Sequence, residues 1–287
     1  MTLQSRLWST PYEAQAFSLL QHYEETSMFL RSNLTECGST IGETFYSGNF
    51  KCLLDGGQVV AVFCLNRNGN VMLQTNRKAD YSSAILHACL EENIPITGCV
   101  ADWTLAEPFW QTYLQSFPDV VTTHHSKEIL FSLPLQSSPL TTTDSRIRFL
   151  EAADFEAWLA LNTAYFDELR FPQQGTREER WIVFQNKTSK QHWWGMFEDN
   201  RLIAIAAYNA CIDGIAQIGG VYTLPSVRRK GYATTLLKQI LLDSQQHHGL
   251  HKLILFTGPE NIAAQGLYQR LGFQQTGNFG LIFGKNP

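Results

Sequence analysis

The stretch GGVYTLPSVRRKGYATTLL, residues 219–237, decides how the rest of the chain is read. Its first residues close a run of strand character over 216–223, bounded by turn residues. After Gly231, the small or apolar residues Ala233, Leu236, Leu237, Ile240 and Leu241 fall at i, i+3, i+4, i+7 and i+8, one buried face of a helix over about 231–246. Between strand and helix stand three adjacent cations, Arg228, Arg229 and Lys230. A helix start presents backbone N–H groups without intrahelical acceptors and the positive end of the helix dipole. A glycine there can take φ > 0 and lets a ligand approach without meeting a Cβ. Strand, cationic loop, glycine and helix start together make a cradle for phosphate. Taken alone, the same residues also fit a solvated basic loop beside an ordinary turn. The lysine precedes the glycine, and no GxGxxG occurs, so the loop is neither a Walker loop nor a dinucleotide fingerprint.

Working outward, residues 147–150 read as a short strand, 154–166 and 176–186 as helices, and 192–197 and 202–208 as strands around the turn Glu198-Asp199-Asn200. Beyond the cationic loop come a strand at 252–256, a helix at 261–271 and closing strands around 273–275 and 280–284. The first half follows the same order. It has a helical region over 11–33 broken near Glu25, strands at 45–54, 59–65 and 71–75, helices at 81–92 and 103–116, and strands at 96–101 and 128–133. Asp55-Gly56-Gly57 and 67–70 supply its turns. Two passes of one order predict a tandem duplication of a mixed α/β (α+β) fold. The polar segment QSSPLTTTDS marks the linker, which gives residues 1–136 and 146–287 as domains and 137–145 as the connection.

The chain has 287 residues, 44% hydrophobic and 17% charged, a composition for packed cores rather than disorder. No apolar run reaches the ~18 residues a bilayer span needs, and the N-terminus lacks the pattern of a signal peptide. The six cysteines are scattered without CxxC or Cys/His spacing and read as reduced thiols of a cytoplasmic protein, with no metal site. Residues 1–140 hold 7 Lys and Arg against 13 Asp and Glu, and residues 141–287 hold 15 against 13, for a net charge of −4. That balance disfavours nucleic acid as a partner, while the relative cationic excess in the second half accommodates a small anionic ligand.

Residues 219–237 resemble the acyl-CoA signature of the GNAT (GCN5-related) N-acetyltransferase superfamily, Arg/Gln-x-x-Gly-x-Gly/Ala, with Arg228, Gly231 and Ala233 at the signature positions. NIAAQGLYQRLGF, residues 261–273, resembles the family's second block, and the spacing leaves room for one helix and one strand between the two. The resemblance covers about residues 146–285. The first half matches in element order only. Its loop LQTNRKADYSS has no glycine, which implies a degenerate GNAT-like half that has lost the diphosphate site.

The resemblance implies two tandem GNAT-like folds and an acyltransferase that moves an acetyl group from acetyl-CoA, its co-substrate, to an amine. In the family the central strand splays from its parallel neighbour and pairs with the pantetheine arm, which carries over to Val221, Tyr222 and Thr223, with a main-chain N–H for the oxyanion. The diphosphate falls to Arg228, Arg229, Lys230, Gly231, Tyr232, Ala233 and Thr234. Gly219-Gly220 reads either as a bulge that opens the strand or as simple close packing. Tyr268 takes the place of the general acid for the departing thiolate, since a tyrosine of pKa about 10 holds its proton at neutral pH; the same residue also reads as a helix tyrosine filling the core beside Leu267 and Leu271. Asn261 reads as a helix N-cap and as a coenzyme A contact. The usual strand carboxylate is replaced by Gln217, so no base is assigned. Glu198 and Asp213 on adjoining turns are alternatives, as is a water relay. The acceptor loop, 165–180, leaves the amine open between a small molecule and a peptide, in a monomer or homodimer with no membrane partner. The opposing reading is a non-catalytic acyl-CoA-binding module, motivated by Gln217 and the degenerate first half.

Overall fold

The computed structural model describes residues 3–44, 46–135, 144–169 and 175–285. In chain order the first elements are β1 (Gln4–Leu7), α1 (Thr10–His22), α2 (Met28–Cys37), β2 (Gly48–Asp55), β3 (Gln58–Asn66), β4 (Asn70–Thr75), α3 (Ser82–Leu90), β5 (Gly98–Asp102), α4 (Trp103–Ser116) and β6 (Val121–Pro134). The second series is β7 (Ile147–Phe149), α5 (Phe155–Leu169), α6 (Arg177–Ser189), β8 (Trp193–Glu198), β9 (Arg201–Ile212), β10 (Ile215–Thr223), α7 (Tyr232–Gln246), β11 (Lys252–Thr257), α8 (Ile262–Arg270) and β12 (Gln274–Lys285). Apart from the closing strands, the expected elements are present. β1 is an addition, and residues 137–143 of the expected linker lie outside the described residues.

Two compact units divide the chain: Met1–Phe131 with Phe256–Ile262 and Gln275–Pro287, and Ser132–Leu255 with Ala263–Gln274. In unit 1 the strand order is β1-β2-β3-β4-β5-β12-β6. Its meander turns where the sequence demands it, at Gly56 and Gly57 with φ of 56° and 82°. Alternate residues of β3 bury opposite faces. Ala61, Phe63 and Leu65 pack with Phe109 and Trp110 of α4, while Val62 and Cys64 pack with Ala16 and Leu20 of α1. Helices therefore cover both faces. The α1–α2 break is held by Ser27, whose hydroxyl donates to Leu20 O at 2.7 Å.

The closing region is one strand rather than the two short ones expected. β12 runs unbroken through Gly277 and Asn278 because a neighbour lies on either side. Phe279 to Phe283 pair antiparallel with Asp102 to Gly98 of β5, β6 is the hydrogen-bonded neighbour on the other edge, and the Asn278 side-chain amide donates to Glu128 O of β6 at 3.2 Å. Pairing on both edges supplies hydrogen bonds that the strand's weak local propensity does not.

In unit 2 the order is β11-β10-β9-β8-β7. Leu236, Leu237, Ile240 and Leu241 of α7 are buried, as the helical spacing requires. On the other face Phe155, Trp158 and Leu161 of α5 and Phe184 of α6 pack on Trp193, Ile205 and Tyr222. α6 opens with a capping box, Thr176 accepting from Glu179 N while the Glu179 carboxylate accepts from Thr176 N. Trp193 and Trp194 are both buried. Trp193 packs on Trp158 with ring centroids 5.2 Å apart, and Trp194 donates to Asp243 at 2.7 Å.

Candidate active site

β10 and β11 run parallel and pair at Ile215–Lys252, Ala216–Leu253 and Gln217–Ile254; no later residue of β10 pairs with β11. On its other edge β10 pairs with β9, with a register shift at Gln217/Ile218 and another between Gly219 and Tyr222. The second is a bulge. Three residues advance on β10 against two on β9, and Gly220 adopts φ +60° to permit it. Val221, Tyr222 and Thr223 thus lie on the stretch of β10 that has left its parallel neighbour. Tyr222 is buried against Tyr165, and burial, then the Glu168 carboxylate, holds its hydroxyl pKa above the ordinary value.

Beyond Thr223 the chain makes a single 3-10 turn at Pro225–Val227 and enters the cationic loop. Arg229 sits at φ +65° and Gly231, the residue before α7, at φ +83° and ψ 0°. A Cβ built on Gly231 meets nothing within 4 Å, so the space before the helix is open. No side chain caps α7. Thr235 N donates to Gly231 O at 3.0 Å, which leaves the N–H groups of Tyr232, Ala233 and Thr234 without intrahelical acceptors. The Tyr232 hydroxyl donates to Glu198, and the Arg146 guanidinium lies 5.4 Å from the Tyr232 ring centroid. Lys230 approaches the same ring at 5.9 Å.

Arg228 is occupied differently from its neighbours. Its Nε donates to Thr223 O at 2.8 Å, and its two Nη atoms donate to the Glu168 carboxylate at 3.0 and 2.6 Å. Gln217 is buried at 1% exposure. Its Nε2 donates to Ile218 O at 2.7 Å, while Oε1 has no hydrogen-bond partner among the described residues. Asp213 occupies the turn between β9 and β10 at φ +48°. Tyr268 is buried on α8, its carbonyl accepting from Phe273 N at 3.1 Å and its ring 6.1 Å from that of Phe273. The segment 221–234 and Tyr268 all lie in unit 2. Asn261 is exposed, falls in unit 1 and donates its N–H to Gly258 O at 3.0 Å.

Residues 155–273, from the start of α5 to the end of the second block, match the model of the Acetyltransferase (GNAT) family. Over these residues the chain is similar to a GNAT acetyltransferase domain. A mycothiol acetyltransferase from Salinispora tropica is 28% identical over 153 residues, which cover 49% of this chain and 48% of that protein. The chain spans about half the length of the curated relatives it matches. A GCN5-related N-acetyltransferase from Sphaerobacter thermophilus superposes with a TM-score of 0.62 at 13% identity, covering 99% of this chain and 96% of the other. A tandem GNAT protein from the clavulanic acid biosynthesis pathway superposes with a TM-score of 0.57 at 10% identity, covering 99% and 98%. The tandem GNAT fold accordingly extends over both units.

Unit 1 repeats the splay but not the cradle. β4 and β5 pair in parallel only at Asn70–Gly98 and Val71–Cys99. After β4 the loop carries Arg77 at φ +58°, bound to Asp102 at 3.0 Å and stacked on Tyr23 at 4.8 Å. Ahead of α3, the Asp80 carboxylate accepts from Ser82 N at 2.9 Å, so a carboxylate of the chain itself stands at that helix start. Sequence reasoning missed this role of Asp80, the Glu168–Arg228 pair and the placing of Glu198 on Tyr232. Only Asp80 carried a local signal, an acidic residue two positions before a helix N–H. Among the described residues no group of three His, Cys, Asp or Glu side chains is placed to hold a metal, and no helix is long and apolar enough to cross a membrane.

Proposed function

We propose that the chain is an acyltransferase that uses acetyl-CoA to acylate an amine at the splay of β10. The observation that carries this reading is the continuity of three features within unit 2: β10 leaves β11 after Gln217, Gly220 bulges, and a left-handed Gly231 opens an uncapped α7. The pantetheine amides of acetyl-CoA would pair with the free edge at Val221, Tyr222 and Thr223. The diphosphate would rest on the N–H groups of Tyr232, Ala233 and Thr234 beside Arg229 and Lys230. With the thioester so placed, a neutral amine attacks its carbonyl, and a main-chain N–H of the splayed strand holds the oxyanion. The tetrahedral intermediate collapses with loss of the thiolate, which Tyr268 protonates, while the nitrogen gives up its surplus proton to water and the Tyr268 hydroxyl is restored from water. Asn261 is assigned as a coenzyme A contact on the family pattern alone.

The base stays unassigned. Gln217 cannot titrate, Glu198 is bound to Tyr232, and Asp213 belongs to a tight turn. The acceptor is a small-molecule or peptide amine, and the mycothiol acetyltransferase relatives favour a small molecule. A cytoplasmic location fits six free thiols, four of them buried. Neither nucleic acid nor membrane is part of this reading, and the active species is a monomer or homodimer.

The deciding experiment follows free thiol release from acetyl-CoA over an amine panel that includes the acceptor of the mycothiol acetyltransferases, together with thermal stabilisation by acetyl-CoA. Acceptor-stimulated release is expected. No stabilisation at millimolar acetyl-CoA would remove the donor assignment. Stabilisation without turnover on any acceptor would instead favour a non-catalytic acyl-CoA-binding module, which the buried Gln217 in place of a carboxylate motivates.

A further inference from the structure

The acyl-CoA signature assigns Arg228 to the diphosphate, yet its guanidinium is committed elsewhere. Three of its five N–H donors are taken, one by Thr223 O and two by a fork-to-fork pair with Glu168. One face lies 5.4 Å from the Tyr222 ring centroid. The carboxylate offsets the charge that a phosphate would otherwise meet. Both partners are partly exposed, with side-chain exposures of 39% and 49%, so the pair adds little to global stability. Its consequence is geometric. It ties the last turn of α5 to the end of β10 and to the first residue of the loop.

The residue that follows needs such a tie. Arg229 holds φ +65°, a left-handed region that L-residues rarely adopt and that persists only where its surroundings impose it. On its far side the chain is fixed by Gly231 and the first α7 hydrogen bond, Thr235 N to Gly231 O. On its near side it is fixed by the 3-10 turn, in which Val227 N donates to Leu224 O at 3.0 Å and Arg228 N to Pro225 O at 3.4 Å, and by the side-chain contacts of Arg228. Resting on the acyl-CoA reading of this loop, we propose that Glu168 is a positioning residue: it holds Arg228 as a brace that sets the diphosphate loop, and Arg228 is not itself a diphosphate ligand.

The test measures binding of coenzyme A and of pantetheine, which lacks the diphosphate, to the full chain and to Glu168→Ala, Arg228→Lys and the double variant. Arg228→Lys keeps the charge and loses the fork. The expected result is coenzyme A affinity about 5- to 10-fold weaker in each single variant, no further loss in the double variant, pantetheine affinity unchanged, and a nearly constant Tm for the free protein. Unchanged or tighter coenzyme A binding by Glu168→Ala overturns the proposal, since freeing a direct ligand from a competing carboxylate helps binding. Multiplicative losses, or equal losses for both ligands, also overturn it. Failure of the unaltered protein to bind coenzyme A at all sinks the acyl-CoA reading, and the brace falls with it. Binding that survives in the unaltered protein isolates a failure to the brace alone.

Discussion

Gln217 pairs with Ile254, and beyond that register β10 and β11 no longer meet. The strand edge and loop proposed for the donor, residues 221–234, follow that parting on the β10 side. The bulge follows within three residues, and the helix start within fifteen.

Gly220 is the residue that lets β10 take its extra residue. Substituting Gly220→Ala places a side chain at φ +60°, at a cost of about 1–2 kcal/mol. Its Cβ would meet Trp193 only at an ordinary 3.7 Å, so the penalty is conformational rather than steric. The expected outcome is a Tm lower by a few degrees and an acetyl-CoA affinity that falls more than stability does. Calorimetric melting and titration of one preparation check both.

Gln217→Glu, which restores the carboxylate common in the family, is expected to harm the protein. The amide now donates to Ile218 O inside a site of 1% exposure, and a carboxylate there faces that carbonyl with no donor. The loss is about 1–3 kcal/mol or more. Chemical denaturation measures it, and a gain in turnover at unchanged stability contradicts the expectation.

Tyr268→Phe keeps the ring against Phe273 and removes the proton assigned to the leaving thiolate. Loss of a general acid typically costs 10²-fold or more. The expected pattern is kcat reduced on that order with KM for acetyl-CoA within a few-fold, read by thiol release. An unchanged kcat takes Tyr268 out of the mechanism.

Unit 1 is expected to leave acetyl-CoA unbound, giving one donor per chain. Its α3 start is occupied by the Asp80 carboxylate, where α7 has open space. An anion brought there would meet a like charge. Titration calorimetry reads the stoichiometry, and two equivalents per chain refute the expectation.

Acid should weaken unit 2 through its histidine pair. Burial first, then the nearby His248 and the cations Lys187 and Lys190, lower His192 to a pKa of about 4, and burial likewise lowers His248. The rings lie 5.6 Å apart, so both fold in the neutral form. An unfolded histidine binds its proton near pH 6.5. Below that value the unfolded chain takes up protons that the native state refuses, so stability falls between about pH 6.5 and 4 and levels off below. Tm against pH shows this acid arm, and His192→Gln flattens it.

The candidate site was legible in sequence where its parts are local. Gly231, the apolar spacing from Ala233 to Leu241 and the strand ahead of them occupy one short stretch, and each imposes its conformation without distant help. Glu168 was not legible, because 60 residues separate it from Arg228 and nothing in either neighbourhood specifies the other. The pair forms because Phe155, Trp158 and Leu161 seat α5 against the same core as Tyr222, which brings the helix end to the loop.

The same physical division applies to the whole chain. Periodicity, turn residues and two spaced blocks determined the order of elements, the tandem character and the glycine-headed loop before α7, since hydrophobic patterning and backbone sterics act over a few residues. Tertiary structure alone decided that β12 is one strand paired with β5, some 180 residues earlier in the chain, and that the loop's leading arginine is held by a carboxylate. Strand partners and ion pairs depend on which surfaces packing brings together, and no local pattern records that choice.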